Sequence, residues 1–414
     1  MNLAKELKKN ILSSGVVHFI NLIVPLLIIP ILTNALGVEA YGIYILVLSI
    51  LQIFISLIDY SFNINSARKI ASNRNNNGRV SEIFNNTLIT KILFFIISTF
   101  VLIFLFKILK LNQEISDYIV IGFLLLLSNA IGPVFFFQGI GKYYLCNYFY
   151  AFFKLLSIPF FMIFVNNSND INYAILIFCL SYLTPSIGLF ILALKSYSIE
   201  KVNFNMHQIF SEIKEGLIIF LSSISNIQVN QLNPIVISIL IDNRAVGIFA
   251  ASDKIVRSLT GIIGPLSQSI FPSLSSMLKN NRKQYFSWLK RIFTAQVLFG
   301  FLVVIAVKIY GQFLIDLLFN EDFNESLYYL EIFIFYAIFY SISNFFGYQV
   351  LIAYGKEILF SKIFIFSSLI HVFGFYTLTY YFDLYGSVIA ILITEFLIAF
   401  LMLFYSIKLI KSEK

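Results

Sequence analysis

The feature that most constrains the fold is a succession of apolar stretches, each long enough to cross a lipid bilayer. A spanning helix needs about 20 mostly apolar residues, because it rises ~1.5 Å per residue across a hydrocarbon core of ~30 Å. With 59% hydrophobic and 12% charged residues, the chain lies far from soluble domains. Spanning stretches recur at residues 11–36, 42–63, 88–110, 117–138, 149–165, 171–194, 216–241, 247–272, 292–318, 327–353, 359–382 and 386–408. The sequence predicts an all-α polytopic membrane protein with twelve transmembrane helices.

Basic residues are distributed unevenly between alternate connections. Most of the 29 lysines and arginines lie on the amino-terminal arm, the even-numbered loops and the carboxy-terminal tail, whereas the opposite side carries Lys107, Lys110 and Arg244. Cytoplasmic loops are the ones enriched in Lys and Arg. We therefore expect both termini in the cytoplasm. The net charge of +8 then reflects topology, and no nucleic-acid partner is expected.

An internal repeat relates the two halves of the chain. Residues 36–44 (LGVEAYGIY) align with residues 241–249 (IDNRAVGIF) at a constant offset of 205, and a weaker match pairs Gly141-Lys142 with Gly355-Lys356. Six helices per half that start on the same side form a parallel repeat, as in transporters that rock two bundles around a central site. We expect an N-terminal six-helix bundle at residues 1–194, a cytoplasmic linker at 195–215 and a C-terminal six-helix bundle at 216–414, around a central cavity.

Two repeat-related helices carry polar residues along one face. In helix 7 they are Ser222, Asn226, Asn230 and Asn233, and in helix 1 they are Ser14, His18 and Asn21. Spacings of i, i+4, i+7 or i+8 keep such residues on one side of a helix. A single polar residue on a membrane helix is explained by a hydrogen bond to a neighbouring helix, which contributes only ~0.6 kcal/mol on average. Four amides and hydroxyls on one face favour the lining of a cavity.

Helix 8 holds Asp253, Lys254 and Arg257 in an otherwise apolar setting. Counted from Gly247, Arg257 lies ~15 Å deep, near the middle of the bilayer. A charge there costs on the order of 2.5–3.5 kcal/mol and usually faces a partner or a water-filled cavity. An internal salt bridge between Asp253 and Arg257 is one interpretation. The other is a cavity wall whose two cations bind a phosphate or carboxylate.

Two further acidic residues are candidates for transport chemistry, and the absence of enzyme motifs argues against a catalytic function. Glu395 lies near mid-membrane in helix 12, where it either carries a proton or pairs with Arg257 or Lys254, and Asp59 lies near the inner end of helix 2. The chain has no phosphate-binding glycine loop, no Cys or His metal set and no triad candidate. We therefore predict no catalytic residues, no metal and no cofactor, and any driving force has to come from an ion gradient, the membrane potential or product removal.

Six segments carry distinctive motifs, namely residues 30–44 (PILTNALGVEAYGIY), 59–63 (DYSFN), 67–71 (ARKIA), 137–139 (FQG), 246–254 (VGIFAASDK) and 272–275 (PSLS). These motifs resemble those of the bacterial O-antigen flippases, in the polysaccharide-transport branch of the multidrug/oligosaccharidyl-lipid/polysaccharide exporter superfamily. The resemblance covers essentially the whole chain. It implies movement of an oligosaccharide on an undecaprenyl pyrophosphate carrier from the cytoplasmic to the outer leaflet of the bacterial inner membrane, by alternating access.

The residues fit this implied substrate. Lys254 and Arg257 are expected to hold the pyrophosphate, whereas Asn226, Asn230 and Asn233, with Asn21 and His18 from the repeat-related helix, are candidates for sugar contacts. Candidates for coupling to H⁺ or Na⁺, or for charge partners, are Asp253, Glu395 and Asp59. Expected partners are the lipid-linked oligosaccharide, membrane lipids and polysaccharide polymerase machinery.

Two rival functions stay open on sequence alone. One is a cation-coupled small-molecule or multidrug exporter of the same superfamily. The other is a flippase for a lipid-linked peptidoglycan precursor, although such relatives usually have fourteen helices.

Overall fold

The computed structural model describes residues 2–109, 113–197, 199 and 206–412. Within these ranges, side chains are described except at 2–19, 21–22, 106–107, 109, 196, 206–208, 218–219, 221–230 and 279. The described residues are helical almost throughout and include no β-strand. The all-α prediction is confirmed.

The first half of the chain contains helices α1 to α7. They are α1 (Asn2–Asp59), α2 (Phe62–Ser72), α3 (Asn77–Leu109), α4 (Gln113–Ile131), α5 (Val134–Gly139), α6 (Tyr143–Phe164) and α7 (Ile171–Ser196). The second half contains α8 (Met206–Leu240), α9 (Asn243–Thr260), α10 (Ile263–Asn280), α11 (Arg282–Leu318), α12 (Ser326–Phe333), α13 (Tyr336–Phe345) and α14 (Glu357–Ser412). A π-helical segment, Phe346–Ile352, follows α13.

The helices match the predicted spans once two long helices are divided. In the described part of the chain, 8 stretches are long and apolar enough to cross a membrane. Both α1 and α14 contain a backbone break, at Gly37 (φ 72°) and at Phe382–Asp383 (Asp383 φ 51°), so each supplies two spans. α8 and the α9–α10 pair occupy the two remaining predicted spans.

The chain packs as two compact units, Met1–Ile224 and Ser225–Lys414. One hydrophobic cluster of the first unit contains Phe135, Phe136 and Phe137, packed with Phe84. One cluster of the second unit contains Tyr285, Phe345 and Phe346 and neighbouring aliphatic residues. The boundary between the units falls within α8, and the predicted division at residues 194 and 215 stays a prediction.

Both units use the same helix-ending motif at the positions that the weaker sequence match pairs. Gly141 (φ 81°) and Gly355 (φ 71°) adopt the left-handed conformation that glycine tolerates. The next residue's amide donates to a carbonyl five residues back, from Lys142 to Phe137 and from Lys356 to Leu351, each at 2.8 Å. This is the Schellman arrangement of a helix C-terminus.

The start of α8 belongs to the first unit and packs against α2 and the connection that precedes it. The Tyr60 hydroxyl donates to the Ile213 carbonyl at 2.9 Å, and Lys69 forms an ion pair with Glu215 at 2.7 Å. A Cβ added at Gly216 would lie only 2.0 Å from the Ser61 hydroxyl, so glycine permits this close approach. The end of the predicted linker and the residue after it are thus held by specific contacts to α2 and to the connection between α1 and α2.

Candidate functional site

Arg257 and Asp253 form the salt bridge that their spacing indicates. Arg257 Nε lies 2.6 Å from Asp253 Oδ1, one turn apart on α9. The guanidinium carbon also lies 5.7 Å from the centre of the Tyr336 ring, within the range of a cation–π interaction. The side chains keep 30% and 20% of their surface exposed. The bridge uses Nε, and the terminal guanidinium nitrogens make no hydrogen bond to a described residue.

Lys254 follows Asp253 directly and is half-buried. Its ammonium makes no ion pair with any residue whose side chain the structure describes. Asp253 supplies one negative charge against the two positive charges of Lys254 and Arg257. The group therefore keeps a net positive charge, which favours an anionic ligand.

Glu395 lies in the second unit, as Lys254 and Arg257 do. It makes no ion pair with either of them. Its Oε1 instead accepts a hydrogen bond from the Ser343 hydroxyl at 2.5 Å, and 9% of the residue is exposed. The proposed role of Glu395 in coupling stays a prediction.

Asn233 belongs to a buried hydrogen-bonded chain. Its Oδ1 lies 2.9 Å from His371 Nε2, and His371 Nδ1 lies 2.9 Å from the Thr394 hydroxyl. Asn233 and His371 are 1% and 2% exposed, so both side chains lie inside the second unit. A sugar contact by Asn233 stays a prediction. The other candidates for sugar contact, Asn226, Asn230, Asn21 and His18, lie outside the residues whose side chains are described.

Asp59 lies in the first unit, where it pairs with Lys91. Lys91 Nζ is 3.0 Å from Asp59 Oδ1, and the side chains are 2% and 31% exposed, respectively. The partner of Asp59 thus comes from a different helix, α3. A contact between different helices cannot be deduced from spacing within one helix.

A cavity of about 410 Å³ opens beside Asp59 in the first unit. Polar side chains from α1, α2, α4, α6 and α7 line it, together with several aromatic rings. None of its lining residues except Asp59 is among the sequence-predicted site residues. No group of three or more His, Cys, Asp or Glu side chains that could hold a metal ion occurs in the described part of the chain.

The polysaccharide biosynthesis protein family matches residues 7–278, well over half of the sequence. The chain belongs to this family. A protein of Escherichia coli (strain K12) described as an O-antigen transporter is 28% identical to this family member over 403 residues, covering 97% of this chain and 96% of that protein. A protein of Shigella dysenteriae with the same description is 27% identical over 404 residues, covering 96% and 99%.

Solved structures show the same fold in this member of the polysaccharide biosynthesis protein family. An inward-facing MATE multidrug resistance transporter superposes with a TM-score of 0.76 over 93% of this chain and 94% of that one, at 16% identity. A transporter of the same superfamily from Pyrococcus furiosus superposes with a TM-score of 0.60 over 99% and 96%, at 13% identity. The predicted twelve-helix, two-repeat fold is thereby confirmed.

Family membership and fold together identify a multi-pass membrane transporter, and the prediction that the chain is not an enzyme is confirmed. The resemblance to O-antigen flippases found in the sequence is likewise confirmed.

The first-unit cavity was not predicted, although the spacing of its polar residues indicates it. Asn147, Tyr150 and Lys154 follow the i, i+3, i+7 spacing of one helical face, and Gln52 and Asp59 are likewise seven residues apart. The spacing rule that indicated a polar face on the predicted span 216–241, now α8, would also have indicated these faces. Their significance emerges only when the helices of the first unit pack together.

Proposed function

We propose that the protein is a flippase that moves an undecaprenyl-pyrophosphate-linked oligosaccharide, an O-antigen or capsule repeat unit, across the bacterial inner membrane. The observation that carries this proposal is the similarity, over almost the entire chain, to two proteins described as O-antigen transporters. The MATE-like fold supports alternating access of two bundles to opposite sides of the membrane.

The group formed by Asp253, Lys254 and Arg257 supplies the anion-binding chemistry in this proposal. Arg257 is oriented by Asp253, which leaves its terminal nitrogens available to grip phosphate oxygens. Lys254 adds a second positive charge without an acidic partner of its own among the described side chains. The pyrophosphate binds here, while the prenyl chain stays in lipid.

The remaining assignments complete the proposal. Asn226, Asn230 and Asn233 of α8, with Asn21 and His18 of α1, contact sugar. Asp59, Asp253 and Glu395 are the candidates for coupling to H⁺ or Na⁺. Both termini lie in the cytoplasm, because the excess of Lys and Arg lies on that side.

Complementation of a strain that lacks its O-antigen flippase tests the function. Wild-type protein should restore the surface polysaccharide ladder, whereas Arg257→Ala, at equal membrane abundance, should abolish it. Arg244→Ala serves as the matched control, because Arg244 pairs with Glu325 at an exposed position on the same helix. It should leave the ladder intact.

Two outcomes would contradict the proposal at different levels. A normal ladder with Arg257→Ala would remove the assignment of the pyrophosphate to Arg257. Failure of the wild-type protein to restore the ladder, together with a change in drug susceptibility, would favour the cation-coupled exporter.

A further inference from the structure

The first-unit cavity has the size of a ligand site. Its volume of about 410 Å³ falls within the ~300–1,000 Å³ typical of small-molecule pockets. Six helices supply its walls, namely the part of α1 after Gly37, α2, α4, α5, α6 and α7. All of these helices belong to one compact unit, so the cavity is a property of that unit alone.

Four amide side chains are among the hydrogen-bonding groups of the cavity. Gln52, Asn63, Asn129 and Asn147 all line it. A side-chain amide both donates and accepts hydrogen bonds, which matches a sugar hydroxyl that also does both. Asn63 Oδ1 is buried and has no hydrogen-bond partner in the described structure, so it is an acceptor that a ligand hydroxyl would satisfy.

The charged residues of the lining are already partnered. Asp59 is held by Lys91 at 3.0 Å, and Lys154 has an interaction of its own within the protein. No unpaired ionic group is therefore left in the lining to select a free ion. This setting differs from that of Lys254 in the second unit, and it favours a neutral, hydroxyl-rich ligand.

Aromatic rings provide the apolar part of the wall. The Phe178 and Tyr182 ring centres are 5.2 Å apart, and Tyr150 and Tyr182 are 6.2 Å apart. The Tyr150 hydroxyl is fixed by a 2.9 Å hydrogen bond to Ser186. Rings held in this way offer flat apolar surfaces to the C–H faces of a pyranose ring, while the amides address its hydroxyls.

We infer that this cavity is a carbohydrate subsite that binds a neutral sugar residue of the transported glycan. The inference rests on the proposed flippase function and adds a second binding region, in the first unit, to the cationic one in the second. Sugar recognition thus relies on Asn63 and Asn129 as well as on the amides of α8.

Polysaccharide export by cavity variants gives the first test. Asn63→Leu and Asn129→Leu remove amides that face the cavity, and each lost hydrogen bond should weaken glycan binding by about tenfold. Surface polysaccharide should fall strongly at unchanged membrane abundance. Phe152→Leu, at a residue 60% exposed on the outer face of α6, is the matched control and should export normally.

A labelling experiment separates ligand contact from a structural effect. The native Cys146 and Cys179 are free and buried, but Cys146 also lines the cavity, so protein without the Asn129→Cys substitution is labelled in parallel to measure the background. In purified Asn129→Cys, the lipid-linked repeat unit should slow maleimide labelling several-fold, whereas undecaprenyl pyrophosphate without sugar should not. Ser168→Cys, in the exposed connection before α7, should label at the same rate throughout.

The outcomes distinguish this inference from the proposed function. If wild-type protein restores polysaccharide and both leucine variants do so equally well, or if the sugar-bearing lipid fails to protect Asn129→Cys, the subsite is refuted while the flippase stands. If wild-type protein restores no polysaccharide, the proposed function itself fails.

Discussion

The buried ion pair between Asp59 and Lys91 predicts unequal effects for its two single substitutions. The Lys91 side chain is 2% exposed and the Asp59 side chain 31% exposed. Asp59→Asn leaves an ammonium with no access to water, and breaking a buried pair in this way costs about 3–5 kcal/mol. Lys91→Met leaves a carboxylate that is still partly solvated, so we expect a smaller cost of about 1–3 kcal/mol.

The double variant, Asp59→Asn with Lys91→Met, completes the comparison. Replacing both charges removes the desolvation penalty together with the attraction, which is often close to neutral for stability. The double variant should therefore be more stable than Asp59→Asn alone. Such non-additivity is expected for residues in direct contact.

The chain carries its own reporters for this measurement. Cys146 and Cys179 are 1% and 0% exposed and free, so a thiol-reactive dye labels them only when the fold opens. Unfolding midpoints of the purified variants in detergent should increase in the order Asp59→Asn, Lys91→Met, wild type. A lower midpoint for Lys91→Met than for Asp59→Asn, or additive effects in the double variant, would refute the reasoning.

Two further predictions concern Glu212 and the paired glycines. Burial raises the pKa of Glu212 from 4.5 to about 7. The folded state therefore binds this proton more tightly than the unfolded state, and the resulting stabilisation is complete below about pH 4.5 and lost as the pH rises through about 7. The unfolding temperature of Glu212→Gln, measured relative to that of the wild type, should therefore increase between about pH 5 and pH 8. A difference in unfolding temperature that does not change with pH would contradict this. Gly355→Ala should cost about 1 kcal/mol from its positive φ alone, since a Cβ there meets nothing within 4 Å. Gly141→Ala should cost more, because its Cβ would lie 3.1 Å from the Arg74 guanidinium, and equal unfolding midpoints for the two glycine variants would argue against that contact.

The number and order of the spanning helices could be predicted because hydropathy and the alternation of basic loops report on the bilayer directly. The finer course of the backbone could not. The eighth predicted span, 247–272, consists of two helices, α9 and α10, which meet around Gly261. The fourth predicted span, 117–138, is likewise divided at Pro133 into α4 and α5. Apolar composition fixes the length of a span but does not encode local changes in the backbone path.

The candidate site shows the same division between local and long-range information. The contact between Arg257 and Asp253 follows from their spacing within one helix, and the structure confirms it. The partners of Glu395 and Asp59 come from other helices, Ser343 of α13 and Lys91 of α3. Such contacts depend on how helices pack, which one sequence does not specify.

Translocation in reconstituted vesicles is the direct test of flippase activity and of the role of Arg257. Purified protein is placed in liposomes with a lipid-linked oligosaccharide, and the glycan accessible to an external, membrane-impermeant oxidant is followed over time under imposed H⁺ or Na⁺ gradients. Wild-type protein should increase the accessible fraction well beyond that of protein-free vesicles, and Arg257→Ala should not. Equal accessibility with wild-type protein and with empty vesicles, under every gradient and with the protein shown to be folded, would contradict the account.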